Sequence, residues 1–237
     1  MKMRKLALGA GHYINTPGKR CLKSLDPKET REWWLNDRVC DYVEDELKNY
    51  DGVEILRLDD SDDGRDDIAL AARVSSANSW GADFYLSVHH NAGANGTAAG
   101  GIEAYTHPNA SAAAVEWRDE LYAALIDRTG LKGNRSNPKR ASDLFVLRKT
   151  TMPAVLLELG YMDSKTDVPV ILTDAHAQKC AQAIVETIVK RWQLTRKEPK
   201  EETLYRVQVG AFSVKANAEK LKKDLEAKGY QAYITRV

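Results

Sequence analysis

Short β-rich runs alternate with amphipathic stretches through roughly the first 190 residues, and that alternation leaves few folds open to the chain. Leu6–Leu8, Val53–Leu56, Ala82–Val88, Ile102–Tyr105, Leu144–Leu147 and Ala154–Leu157 read as strands, several of them continuous enough in apolar residues to be buried on both faces. Between them Leu35, Val39, Val43 and Leu47 recur at helical spacing, as do Trp117, Leu121 and Leu125, and later Ala181, Ile184, Ile188 and Trp192. A shorter helix is expected from Asp67 to Asn78. Elements in this order predict an α/β fold: a mostly parallel open sheet with helices on both faces. A chain of 237 residues has room for one such domain and something small beside it.

The pattern changes after Trp192. Residues 194–203 are charged, carry a proline and lack apolar periodicity, so they read as a linker between a domain at 1–193 and a unit at 204–237. In that unit Tyr205, Val207 and Val209 alternate as in a strand, and Ala218, Leu221 and Leu225 share a helix face. Gly229 caps the helix, and Tyr230–Val237 returns as a second strand. One βαβ unit of this size has little core to stabilise it alone.

Charge and cysteine usage exclude several classes. A formal net charge of +1 gives no nucleic-acid footprint, although ten Lys/Arg against six Asp/Glu lie from Thr195 onward. Cys21, Cys40 and Cys180 are odd in number and unpaired in spacing, which argues against a disulfide framework or a cysteine metal site and fits a reducing cytosol. The first residues are basic, but their apolar run is too short for a signal peptide, and no stretch approaches a membrane span. The expectation is synthesis in the cytoplasm, with release by some other route.

Four polar residues sit where apolar patterns end or begin. His12 follows Leu6–Gly11, His89 follows Phe84–Val88, Glu158 follows Ala154–Leu157, and Glu32 opens the first long helix. Polar groups that close the strands of an α/β sheet meet at one rim. Two imidazoles and one carboxylate make a three-ligand zinc set with an open fourth position, and a further carboxylate is then free to act as a base. The expected chemistry is that of a zinc hydrolase. Singly, most of these residues have plainer readings: Glu32 suits a helix start for its dipole, and Gly-Ala-Gly-His12 suits a tight turn. Glu158 is harder to explain that way, since a carboxylate in a buried run needs a cation or strong donors. His90 should point to the other side of its strand. The stretch Asn91–Gly101, rich in Gly, Ala and Asn, is expected to be a mobile loop beside the site. Six aspartates in Asp59–Asp67 suggest calcium only weakly, because the twelfth loop position would be Leu70 instead of glutamate.

Four motifs in order carry a resemblance: Gly11-His12, Glu32-x-x-x-Asn36, Ser87-Val-His89-His-Asn91, and Pro153-Ala-Val-Leu-Leu-Glu158-Leu-Gly160, with Arg73, Asn78 and Val146-Leu-Arg148 between them. To about residue 193 the chain resembles the zinc-dependent N-acetylmuramoyl-L-alanine amidases of the type 3 family. That resemblance implies one zinc per chain on His12, Glu32 and His89, with Glu158 as catalytic general base and Asn91 lining the substrate groove. The implied substrate is bacterial peptidoglycan, cut between N-acetylmuramic acid and L-alanine. Tyr13 stands where the family often has glycine, and Cys21–Lys28 matches a variable connection. Tyr205-Arg-Val-Gln208-Val-Gly-Ala-Phe212, Asn217-Ala-Glu-Lys-Leu and Gly229-Tyr230 resemble the first half of a SPOR domain. This second resemblance implies wall binding through Tyr205, Gln208 and Phe212. Only one of the two halves is present, so a homodimer through residues 204–237 is expected. Without a signal peptide, a phage endolysin reaching the wall through a holin is the expected setting, with a mother-cell autolysin as the alternative. Two further alternatives are a zinc peptidase acting on the stem peptide, which would lack its usual close His-x-x-Glu pair, and a non-catalytic wall-binding protein.

Overall fold

The computed structural model describes residues 3–59, 67–198 and 207–236. The chain divides into two compact units, Met1–Lys197 and Glu198–Val237. In the first, β1 (Arg4–Ala10), α1 (Glu32–Leu47), β2 (Tyr50–Asp51), β3 (Val53–Arg57), α2 (Leu70–Trp80), β4 (Phe84–Asn91) and β5 (Glu103–Thr106) follow in order. Then come α3 (Ala112–Thr129), β6 (Lys139–Ala141), α4 (Phe145–Lys149), β7 (Ala154–Tyr161), α5 (Val168–Ile171), α6 (Asp174–Trp192) and β8 (Thr195–Arg196). The second unit holds α7 (Lys215–Glu226).

Six strands form the main sheet in the order β3-β1-β4-β7-β5-β6. The first four are parallel, β5 runs antiparallel to β7, and β6 is parallel to β5. This is the mostly parallel sheet expected, and its core lies on both faces. Leu6, Leu8 and Ala10, Phe84, Leu86 and Val88, and Val155 and Leu157 pack with residues of α1, α3 and α6. Their neighbours Ala7, Tyr85, Ala154 and Leu156 pack on the other side with residues of α2 and α4. Burial on both faces is why these runs are apolar without alternation. Each fully buried leucine contributes about 1.5–3 kcal/mol relative to exposure. Cys21, Cys40 and Cys180 are all free thiols buried within this unit.

The structure departs from the sequence expectation in several elements. Leu144–Leu147 is not a strand: it opens α4, whose Val146 and Leu147 pack against Val74, Ala77 and Leu156. A four-residue apolar run carries no period that separates a strand from a buried helical turn. β6 was not foreseen, because Lys139-Arg-Ala141 is an exposed edge with no apolar pattern. The helix expected from Asp67 begins at Leu70. Thr195–Arg196, at the start of the expected linker, pairs antiparallel with Tyr50–Asp51 of the first unit.

The loop after β4 is also more firmly tied than expected. Asp163, just beyond β7, accepts hydrogen bonds from the backbone N–H groups of Gly93, Ala94 and Asn95 at 2.8, 3.0 and 2.8 Å. The Asp163 carbonyl accepts a fourth from Gly96 at 2.8 Å. One side chain thus satisfies donors that a strand or helix would otherwise pair.

In the second unit Ala218, Leu221 and Leu225 are half-buried along one face of α7, and Gly229, at φ +84°, turns the chain after it. Among the described residues 207–236 there is no strand, so neither expected strand forms over the part that is described. Val207 and Tyr233 are 82% and 83% exposed. A strand forms only against a partner, and two strands alone make at best a marginal sheet in water. Tyr205 lies outside the described residues.

Candidate functional site

The site begins with a strained turn at the end of β1. His12 has φ +62°, a left-handed backbone conformation that disfavours any side chain other than glycine by about 1–2 kcal/mol. Three side chains hold it there. Buried Arg73 donates to the carbonyls of Ala10, His12 (3.1 Å) and Ile68 (2.9 Å). Asp59 accepts from the Ala10 N–H at 3.0 Å, and Asn36 donates to the Gly11 carbonyl at 3.0 Å. Gly11 itself has to be glycine, since a Cβ there would stand 1.9 Å from Cε1 of His89.

Glu32, the first residue of α1, is 1% exposed and lies between the two imidazoles. Its Oε1 is 3.1 Å from Nδ1 of His89 and accepts the backbone N–H of His90 at 3.3 Å. Its Oε2 lies 3.5 Å from Nε2 of His12 and 3.9 Å from the Lys19 ammonium, and it accepts no hydrogen bond. Nε2 of His89 is held 3.1 Å from Ser87 Oγ, and the rings of His12 and His89 meet edge-on at 5.1 Å. One ligand atom from each of His12, Glu32 and His89 falls within 4.8 Å of the others.

The electrostatics suit a cation. Burial alone would push the Glu32 carboxyl up, but its hydrogen bond to His89 and the charges of His89, His12 and Lys19 outweigh it and hold the carboxyl below its ordinary value. Burial lowers His12 to about 4, so its imidazole is neutral and its lone pair available at neutral pH. Glu158 on β7 stands directly opposite His89 on β4. Burial first, and the charge of Glu32 second, hold its carboxyl well above the ordinary range, against the pull of Lys19. Its Oε2 is closed to solvent and has no hydrogen-bond partner among the described residues. Two solvent-closed carboxylate oxygens without donors, beside two imidazoles, form an arrangement that a divalent cation would stabilise. The donor set of nitrogen, nitrogen and carboxylate oxygen fits zinc.

A cleft of about 250 Å³ is lined by His12, Lys19, Glu32, His89, Asn91 and Glu158, among others. The structure therefore brings five of the expected residues together. His90 stands outside the metal cluster: its ring is 2.8 Å from Asn36 Oδ1. Asn91 lines the cleft and donates to Glu103 Oε2 at 2.9 Å. Gln208 and Phe212 belong to the second unit, both exposed, with Gln208 donating to the Gly210 carbonyl at 3.4 Å.

Sequence reasoning assigned no role to Lys19, Asn36, Arg73 or Glu103. Glu103 carried the same signal as Glu158, an acid inside a strand-like run. Asn36 and Arg73 lay within recognised motifs, but their carbonyl partners are not legible in a linear pattern.

A mostly parallel α/β domain with two imidazoles and two carboxylates gathered at one sheet rim has the donor set of a metal-dependent hydrolase. Residues 6–190 match the family model described as N-acetylmuramoyl-L-alanine amidase, and residues 201–237 match the SPOR domain model. The chain belongs to the N-acetylmuramoyl-L-alanine amidase family, and its substrate is peptidoglycan. It is 34% identical over 188 residues to the N-acetylmuramoyl-L-alanine amidase CwlM of Bacillus licheniformis, covering 79% of this chain and 69% of that one. It is 34% identical over 185 residues to the sporulation-specific N-acetylmuramoyl-L-alanine amidase of Bacillus subtilis, covering 78% and 68%. The solved catalytic domain of CwlV from Bacillus (Paenibacillus) polymyxa superposes with a TM-score of 0.70 at 26% identity, covering 81% of this chain and all of that one.

Gly11→Ala tests the packing of the site directly. The added methyl must displace the His89 ring, and overpacking of this kind typically costs about 1–3 kcal/mol. Chemical denaturation should show that loss together with reduced lytic activity. An unchanged midpoint with full activity would contradict the contact.

Proposed function

We propose that this chain hydrolyses the bond between N-acetylmuramic acid and L-alanine with one zinc held by His12, Glu32 and His89, and with Glu158 as the general base. The observation that carries this reading is the pair of buried carboxylate oxygens, on Glu32 and Glu158, that accept no hydrogen bond among the described residues and lie beside two imidazoles. Zinc bound there supplies Lewis acidity, which polarises the carbonyl and acidifies water at neutral pH. The chain's own groups do the rest. Ser87 Oγ at Nε2 of His89 leaves Nδ1 turned toward Glu32, and the His90 N–H fixes Glu32 Oε1. Glu158, its proton affinity raised by burial and by Glu32, takes a proton from the attacking water and passes it to the departing alanine nitrogen. Asn91 lines the groove on the Glu103 side and positions substrate there.

His89→Ala should remove most bound zinc and all lytic activity. Stoichiometric zinc in that variant, measured by atomic emission, would sink the ligand assignment. Glu158→Gln keeps the shape but cannot accept the proton, so turnover should fall about 100-fold or more while zinc content stays normal. A near-normal rate at normal zinc content would refute the general base. New L-alanine N-termini in digested peptidoglycan distinguish this enzyme from a peptidase of the stem peptide.

The second unit we read as a wall-binding half that pairs with the same half of another chain, with Tyr205, Gln208 and Phe212 toward glycan. Exposed Val207, Val209, Tyr230, Tyr233 and Ile234, and the absence of a strand among described residues 207–236, support this reading. Two-fold pairing of identical elements is the commonest way soluble chains cover such surfaces. Light scattering should find a full-length dimer and a monomer for a truncation ending at Leu194. A full-length monomer at high micromolar concentration would exclude the pairing. As for setting, a phage endolysin is the first reading, with a mother-cell autolysin, which likeness to a sporulation-specific amidase supports, as the alternative.

A further inference from the structure

Beside the cleft lies a second cavity, of about 360 Å³, lined by Glu103, Asn134, Arg135, Ser136, Asn137 and Arg140. The two spaces adjoin through particular residues. Glu103 is the register partner of Glu158 across β5 and β7, and Asn91, which lines the cleft, donates to Glu103. Because β5 runs opposite to β7, its first residue comes to the same rim where the parallel strands end.

The cavity is built around a buried carboxylate that organises two cations. Glu103 is fully buried and accepts from Asn91 and Tyr105 at 2.9 Å, from Tyr161 at 2.7 Å and from Arg140 Nη1 at 3.3 Å. Arg135 donates from Nε and Nη2 to the Tyr161 hydroxyl at 2.9 and 2.6 Å, with its guanidinium over the Tyr161 ring. These contacts hold both guanidinium planes and leave Nη1 of Arg135 and Nε and Nη2 of Arg140 outside them. Two arginines against one carboxylate give the cavity a net positive charge. Fixed guanidinium forks of this kind are suited to a carboxylate.

Substrate chemistry says which end of the substrate belongs there. On one side of the scissile amide peptidoglycan is a neutral glycan; on the other it is an acidic peptide. Neighbouring strands lie about 4.8 Å apart, so a group held between β5 and β6 is roughly 5–10 Å from Glu158. An extended peptide advances about 3.3–3.6 Å per residue, which places that group roughly one and a half to three residues beyond the scissile nitrogen. The first free carboxylate after L-alanine is the α-carboxylate of D-glutamate.

We infer that Arg135 and Arg140 form the subsite for this α-carboxylate, so that the enzyme favours stem peptides in which it is free over those in which it is amidated. The inference rests on the amidase reading above and adds which peptide is preferred. Arg140 is the residue to vary, since it lies on an exposed edge strand and its loss leaves the Arg135–Tyr161 contact in place. The substrates are two soluble N-acetylmuramoyl tripeptides that differ only in a free or amidated D-glutamate α-carboxylate.

The zinc-loaded full-length protein should cleave the free acid with a kcat/KM about ten-fold or more higher, mostly through KM, as expected for a hydrogen bond to a charged group. Arg140→Gln should lower that ratio several-fold by slowing the free acid more than the amidated peptide, with Arg135 retaining the remainder, and Arg140→Lys should restore part of it. A purely structural role for Arg140 would slow both peptides alike, and that result would overturn the subsite. Equal cleavage of both peptides by the unaltered protein would overturn it too, while leaving the amidase reading intact. Failure to cleave either would bring down the amidase reading and the subsite together.

Discussion

Three carboxylates at one rim of a sheet set the terms for everything around them. Glu158 stands between His89 on one neighbouring strand and Glu103 on the other, and Glu32 bonds His89 from the start of α1. Like charges this close in a buried setting repel strongly unless each is matched. The protein matches them differently. Glu103 is surrounded by amide, phenol and guanidinium donors. Glu32 faces two imidazoles and Lys19 but keeps one oxygen without a hydrogen bond among the described residues. Glu158 receives no such donors among the described residues and has its proton affinity raised. One fold thus makes three chemically distinct carboxylates from their surroundings.

The architecture supplies those surroundings at little local cost. Central strands buried on both faces give β1, β4 and β7 a rigid base, and the polar residues sit where the strands emerge. Reversal of β5 then brings Glu103, and with it Arg135 and Arg140, to the rim the other strands share. Strain at His12 is tolerated because Arg73, Asp59 and Asn36 bond the same short turn from separate elements. The loop after β4 is held by the Asp163 carboxylate, so its path is set from the end of β7 as well as from β4.

The second unit follows another logic. α7 keeps an apolar face, yet nothing on that face is fully buried. The hydrophobic pattern is that of a strand–helix–strand unit, while the described residues 207–236 form no strand.

The amino-acid sequence by itself determined the buried strands, the apolar faces of α1, α3 and α6, and the residues at the strand ends. Those features follow from local periodicity, which reports burial directly. It also marked His12, Glu32, His89 and Glu158, since a polar group closing an apolar run is conspicuous wherever the chain later places it. Only the tertiary structure decided that Leu144–Leu147 turns into a helix, that Lys139–Ala141 adds an edge strand, and that Asp163 ties down a loop nearly seventy residues earlier. The same holds for Glu103 and its arginines, whose contact with the site depends on the reversed direction of β5. These outcomes rest on hydrogen bonds and charges between residues far apart in the chain, and no local period encodes which distant partner a polar group will meet.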